Sequence, residues 1–206
     1  NSRSALGATI GQSLPNWGAV ADEGRGRTVV MTNLYTDDDS KRLAREKAAL
    51  LLADATLAYY PDDPMPGILD IILHEAAHNL GPHSDYKVNG QDPSQLFGGR
   101  TASVLEELKA QTATLYYVAF LTEKGLITDE VARQLYAHAL VWAFGHISQG
   151  MFTAEGNPKA YAQLSAVQVG FLVSRDALAW VVEKDATTGT DLAKAQINWK
   201  KFPKAA

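Results

Sequence analysis

The chain has 206 residues, of which 46% are hydrophobic, so it can bury one sizeable core or two small ones, and it is not disordered in composition. Its formal net charge of −4 gives nucleic acid no electrostatic footprint, and the basic cluster Gly24-Arg25-Gly26-Arg27 holds only two cations in an expected turn. There is no cysteine, which excludes disulfides and thiolate metal sites, and no apolar run approaches the roughly 18 residues that suggest a membrane span.

The opening Asn1–Gly7 lacks both a Met and a basic-then-apolar signal pattern, so it reads as a processed or trimmed end and leaves the compartment open. Next comes an irregular, Gly-rich stretch to about Gly26, a strand over Arg27–Tyr35 and an acidic turn at Asp37-Asp38-Asp39. Thereafter the pattern is helical: Ser40–Tyr59, Gly67–Leu80, Thr101–Lys124, Thr128–Ser148 and Pro158–Glu183, each with cap or breaker residues at its ends. Between the second and third helices, Gly81–Arg100 is an unusually long connection, the kind that flanks functional clefts. His83 and Asp85 within it are candidates for touching a substrate, with solvated loop positions as the plainer reading. The expected fold is mainly α, one helical domain over residues 1–206, with a short N-terminal strand and irregular segment. Trp142, Phe144, Phe171 and Trp180 are expected in the core, as are Tyr116 and Tyr117 in preference to a role as oxyanion donors. Arg175 reads as a buried partner for an acid or a helix-surface charge.

The second helix carries the chemistry. His74-Glu75-Ala76-Ala77-His78 is an H-E-x-x-H pattern, and residues four apart lie one turn above each other on one face, so both imidazoles can converge on one ion. Zinc takes imidazole nitrogens at about 2.0–2.1 Å, and catalytic sites use three protein ligands and leave the fourth position to water. Glu75 stands beside that position as a general base. Leu69, Leu73, Ala76 and Leu80 predict a core-facing stripe, and Gly67, Ile71, His74 and His78 a metal-facing line next to it. The bland alternative is two histidines with no metal between them.

A third ligand is expected from Leu105-Glu106-Glu107-Leu108-Lys109-Ala110-Gln111 in the third helix, where Thr101 or Ser103 can cap the N-terminus. Adjacent glutamates point about 100° apart, so only one can face the ion. A ligating His passes its other N–H to an acceptor, and Glu107 has Gln111 one turn beyond it where Glu106 has only Ala110. This selects Glu107. Taken alone, a Glu-Glu pair early in a helix is more often dipole compensation.

Together, His74–His78 and Glu106-Glu107-Leu108-Lys109-Ala110-Gln111 resemble the two signatures of the dipeptidyl peptidase III family of zinc metallopeptidases, in whose Glu-Glu-x-Arg/Lys-Ala-Glu block the second Glu binds zinc. Leu14-Pro15-Asn16-Trp17 resembles the family's Pro-Asn segment, which implies that Asn16 holds the amino terminus of a peptide substrate. The likeness runs from about Gly11 to Trp180. It implies one Zn²⁺ per chain on His74, His78 and Glu107, a base at Glu75 and a peptide as partner. It further implies a β-rich lobe or partner fragment across the cleft, since only ten residues precede Gly11 and none in Asn1–Ile10 is acidic. The chain departs from the pattern in a shorter histidine motif, in Gln111 where Glu is usual, and in Ala166 where the family has a transition-state histidine. His146 is the candidate replacement. The expected function is zinc-dependent peptide hydrolysis. The alternatives are a degenerate zinc-binding homologue without turnover and a zinc amidase acting on a non-peptide substrate.

Overall fold

The computed structural model describes residues 11–14, 19–23, 25–80, 86–184 and 189–206. Strand β1 (Gly11–Leu14) pairs antiparallel with β2 (Arg27–Val30), Gly11 opposite Val30, and helix α1 (Ala19–Asp22) lies between them. The strand expected over Arg27–Tyr35 is therefore a strand only in its first half. At Thr32 the backbone turns helical, and Asn33–Thr36 form α2. Asp37 stays extended and accepts from Ser40 N at 2.8 Å, which starts α3 (Asp38–Leu51), while Asp38 and Asp39 in its first turn oppose the helix dipole.

Helix α3 does not continue to Tyr59. Leu52 is extended and bridges Ala195 in parallel, and Ala53 N donates to Ala195 O at 2.9 Å, so a tertiary pairing overrides the local helical preference. α4 (Asp54–Leu57) restarts the helix, with Asp54 N donating to the Glu183 carboxylate at 3.1 Å.

α5 (Met65–His78) has Pro66 in its first turn, where a missing N–H costs nothing. Its buried face is not the expected leucine stripe. Leu69 and Leu73 pack only partly against the core and Ala76 and Leu80 are exposed, whereas Gly67, Asp70, His74 and Ala77 are buried. The helix is rotated so that its polar line faces its neighbours. The described part of the expected long loop is ordered: Val88 and Gln91 pair across Asn89-Gly90, both at positive φ, and an Asp92/Gln95 capping box opens α6 (Pro93–Phe97).

α7 (Gly99–Glu123) begins before Thr101, with Gly98 at its N-cap and no side-chain cap, so neither Thr101 nor Ser103 plays that part. α8 (Asp129–Ile147) is capped by Thr128, which accepts from Val131 N at 3.2 Å. α9 (Ala160–Ser174) ends when Asp176 adopts φ 53° and Ala177 N closes back onto Leu172 O at 2.9 Å. Residues read as helix up to Glu183 instead form β3 (Leu178–Lys184), paired antiparallel with β4 (Asp191–Ile197), Leu178 opposite Ile197. Trp180-Val181-Val182 is a strand-former's composition, and the hairpin's pairing decides the matter. α10 (Phe202–Ala205) follows.

The core surrounds α8. Leu135, Tyr136, Ala139, Leu140 and Ala143 meet Leu115 and Val118 of α7, Leu172 of α9 and Leu178, Ala195 and Ile197 of the hairpin, and the Phe202 ring lies 4.8 Å from that of Tyr136. Trp142 and Phe144 reach this core only partly, and Phe171 and Trp180, expected inside, are 45% and 52% exposed. Arg175 is also exposed, over the Phe171 ring. No described helix is long and apolar enough to cross a membrane. The fold is mainly α, and it lays α5 alongside α7.

Candidate metal centre

The seam between α5 and α7 gathers His74, His78 and Glu107 so that one ligand atom from each lies within 4.8 Å of the others. A single Glu107 oxygen, Oε2, faces both rings: it is 3.2 Å from His74 Nε2 and 3.7 Å from His78 Nε2. The opposite nitrogens are also engaged, His74 Nδ1 with Gln111 Oε1 at 2.9 Å and His78 Nδ1 with Glu106 Oε1 at 3.0 Å. Glu106 in turn takes Lys109 Nζ at 2.7 Å, and that ammonium also donates to Leu80 O at 2.8 Å, tying α7 to the end of α5.

This donor set fits a tetrahedral cation. Bonds of about 2.0–2.1 Å place neighbouring ligand atoms roughly 3.3 Å apart, which the two Nε2–Oε2 separations bracket. The proton count agrees. All four ring nitrogens face acceptors, yet a neutral imidazole carries one N–H, so with Nδ1–H donated to Gln111 and Glu106 both Nε2 lone pairs turn towards Glu107. A cation between them satisfies all three atoms. Without one, the charges redistribute. Burial works against a proton on His74, but the hydrogen bond and charge of Glu107 outweigh it and raise its pKa. Burial likewise works to raise Glu107, and the His74 hydrogen bond with the charges of His78 and His74 prevails to hold it below the usual carboxylate range. Glu106 is also held low, burial being outweighed by His78 and Lys109.

Glu75 is 9% exposed and lies under β1. A Cβ at Gly11 would sit 2.9 Å from Glu75 Oε1 and 2.6 Å from Ile71 Cγ2, so the strand passes over the helix this closely only because residue 11 is glycine.

Tyr161, in the first turn of α9, was not singled out by sequence. Its hydroxyl is turned to the Glu107 carboxylate, and its pKa is raised by burial and then by the charge of Glu107. Its ring lies 6.4 Å from that of His74 and 5.2 Å from that of His146, while His146 packs edge-on against Trp142 at 4.4 Å. His146 is thus linked to the cluster through Tyr161, and burial lowers its pKa. A tyrosine opening an apolar helix has no motif around it. Only the packing of α9 beside α7 reveals it.

Asn16, His83 and Asp85 lie outside the described residues. Tyr116 is exposed and stacks on Phe120 with ring centres 6.4 Å apart, and Tyr117 packs beside it, which fits neither the expected core place nor the metal group.

The fold and the site together define a mainly helical protein with a two-helix His/Glu group able to hold a metal ion. No family model matches the chain. In structure it is similar to DPP III from Caldithrix abyssi, with a TM-score of 0.73 and 23% identity over 96% of this chain and 34% of that one. In sequence it is similar to Nudix hydrolase 3 of Arabidopsis thaliana, 25% identical over 189 residues, which is 91% of this chain and 23% of that protein. The structural likeness establishes a DPP III-like helical fold. The chain spans about a third and about a quarter of the lengths of these two proteins, respectively.

Proposed function

We propose that the chain is the zinc-binding part of a peptide hydrolase of the dipeptidyl peptidase III type. The observation that carries this reading is the single Glu107 oxygen facing both Nε2 atoms while both Nδ1 atoms are occupied from behind. His74, His78 and Glu107 would hold one zinc, with Gln111 and Glu106 fixing the ring tautomers. Zinc there would supply Lewis-acid polarisation of a carbonyl and of the attacking water. Glu75 takes the proton of that water and returns it to the leaving amine. Tyr161 keeps Glu107 oriented, and His146, packed on Tyr161, is the candidate for the transition-state role of the family histidine replaced by Ala166. Asn16 would receive the peptide's amino terminus. The fraction of the DPP III chain that this protein matches supports a second lobe facing the site, so residues 1–206 alone should bind zinc and cleave feebly.

Elemental analysis of the purified chain, combined with a panel of dipeptidyl arylamides, tests the reading. One zinc per chain is expected, with slow dipeptide release that falls by roughly 10²-fold or more in Glu75→Gln at unchanged zinc content. Full activity in zinc-loaded Glu75→Gln would overturn the mechanism, and absence of zinc would overturn the site. A second reading, a zinc-binding homologue without turnover, draws on Gln111 as a neutral acceptor behind His74. Zinc without hydrolysis of any arylamide, even with an added partner lobe, would favour it.

A further inference from the structure

Beside the N-terminal half of α5 lies a second polar assembly that the metal group does not use. A cavity of about 400 Å³ opens there, lined among others by Tyr35, Arg45, Tyr60, Pro64, Gly67 and His138. That volume is in the range of small-molecule sites, about 300–1,000 Å³. Behind His138 stands Asp70, 4% exposed, its Oδ2 3.6 Å from His138 Nδ1. Both Asp70 Oδ1 and His138 Nδ1 are buried without a hydrogen-bond partner. Buried polar atoms are nearly always satisfied, and Asp70 does not itself line the cavity, so its free oxygen calls for an ordered water behind the imidazole while His138 faces the occupant.

The walls have a defined shape. The Tyr35 and Tyr60 rings lie 6.0 Å and 6.4 Å from the His138 ring, and Tyr60 is the nearer to a parallel stack, at 21°. A Cβ at residue 67 would come within 2.8 Å of His138 Nε2 and of the Tyr35 ring, so glycine lets helix, imidazole and phenol meet at one point. Burial also raises the pKa of both tyrosines, which keeps them as neutral donors.

Charge selects the occupant. Among the charged lining residues, Asp63 is engaged on Met65 N, Lys41 pairs with Asp38 and Arg42 with Glu46. Arg45 is left with one neutral acceptor, Tyr60 O at 2.7 Å, and its nearest carboxylate is the solvent-exposed Asp62 at 3.9 Å. A guanidinium has five N–H donors, so most of its capacity is unused. In its imidazolium form, an imidazole backed by a carboxylate presents Nε2–H to an acceptor in front of it. We propose that this cavity is a binding site for a small carboxylate with an aromatic or similarly flat apolar body, its head between Arg45 and His138 and its body against the Tyr35 and Tyr60 rings.

Three probes of one shape test the proposal on the whole chain: benzoate, benzamide and benzylammonium, titrated while backbone amide shifts are followed by NMR. Benzoate should saturate, shift the amides around Gly67 and Tyr60, and bind at least about tenfold more tightly than either of the others, as a charge-assisted contact to guanidinium implies. Arg45→Gln should weaken benzoate by about tenfold or more while leaving zinc content unchanged. His138→Gln should do likewise. If it fails to fold, the half-exposed Arg45 position still decides. No saturable shift near Gly67, equal binding of all three probes, or a preference for benzylammonium would each overturn the proposal. These outcomes are independent of whether the metal group hydrolyses peptides.

Discussion

His74 and Glu107 face each other across the α5–α7 seam, Nε2 to Oε2 at 3.2 Å, with side chains only 10% and 21% exposed. A charged pair this enclosed depends on its geometry, and the same geometry accommodates a cation. Whichever occupies the gap, α5 and α7 are held together at this point.

Glu107 and Glu106 therefore separate in their consequences. Glu107→Ala should abolish stoichiometric zinc binding, because it removes the oxygen that both Nε2 atoms face. Glu106→Ala should keep the zinc but weaken it by about 10–100-fold, since it removes only the acceptor behind His78. Zinc content after dialysis, followed by competition with a chelator, reads both. Loss of zinc in Glu106→Ala alone would reverse the ligand assignment.

Tyr161→Phe should weaken zinc by about 10–100-fold as well, with secondary structure retained, because the hydroxyl that orients Glu107 is lost while the ring contacts with His74, His146 and Trp142 remain. Unchanged chelator competition would show that Tyr161 is only packing.

The metal-free chain should show a pH window of its own. The raised pKa of His74 contributes stability that is fully present below its ordinary value of 6.5 and is lost as pH rises through the higher folded value. The lowered pKa of Glu107 contributes stability that is present above 4.5 and is lost as pH falls through the lower folded value. These are one interaction seen from its two ends, so they are not added. The thermal midpoint of the chelated protein should carry this contribution in full between about pH 4.5 and 6.5. Glu107→Gln should flatten that feature, and an identical pH profile in the variant would exclude the pair as its source.

Thr56 is fully buried, and its Oγ1 accepts from Ile197 N at 2.9 Å. Thr56→Val keeps the shape but leaves that N–H without a partner, which should cost about 1–3 kcal/mol in urea unfolding. Thr56→Ser should recover most of it. Equal stability of Thr56→Val and the parent would mean that the backbone finds another acceptor.

The i, i+4 spacing of His74 and His78 placed both on one helix face in advance, and the one-turn offset between Glu107 and Gln111 anticipated Gln111 as an acceptor behind one of them, which the structure shows to be His74. These are properties of a single helix, fixed by its pitch. What escaped were properties of pairs of elements. Leu52 is extended because Ala195 lies beside it, β3 is a strand because β4 covers it, and Tyr161 joins the metal group because α9 packs next to α7. The rotation of α5, which buries Asp70 and exposes Ala76, likewise depends on neighbours that no local periodicity encodes.

The hydrogen bond between Ile197 N and Thr56 Oγ1 joins residues 141 positions apart, and Ala195 completes the break between α3 and α4 in the same place. At about 5–20 residues per second, a ribosome would leave Thr56 waiting roughly 7–28 s for its partner. For that interval α3 can meet α8, but its junction with α4 lacks the strand that covers it. During synthesis, the junction between α3 and α4 is therefore completed only when the β3–β4 hairpin emerges.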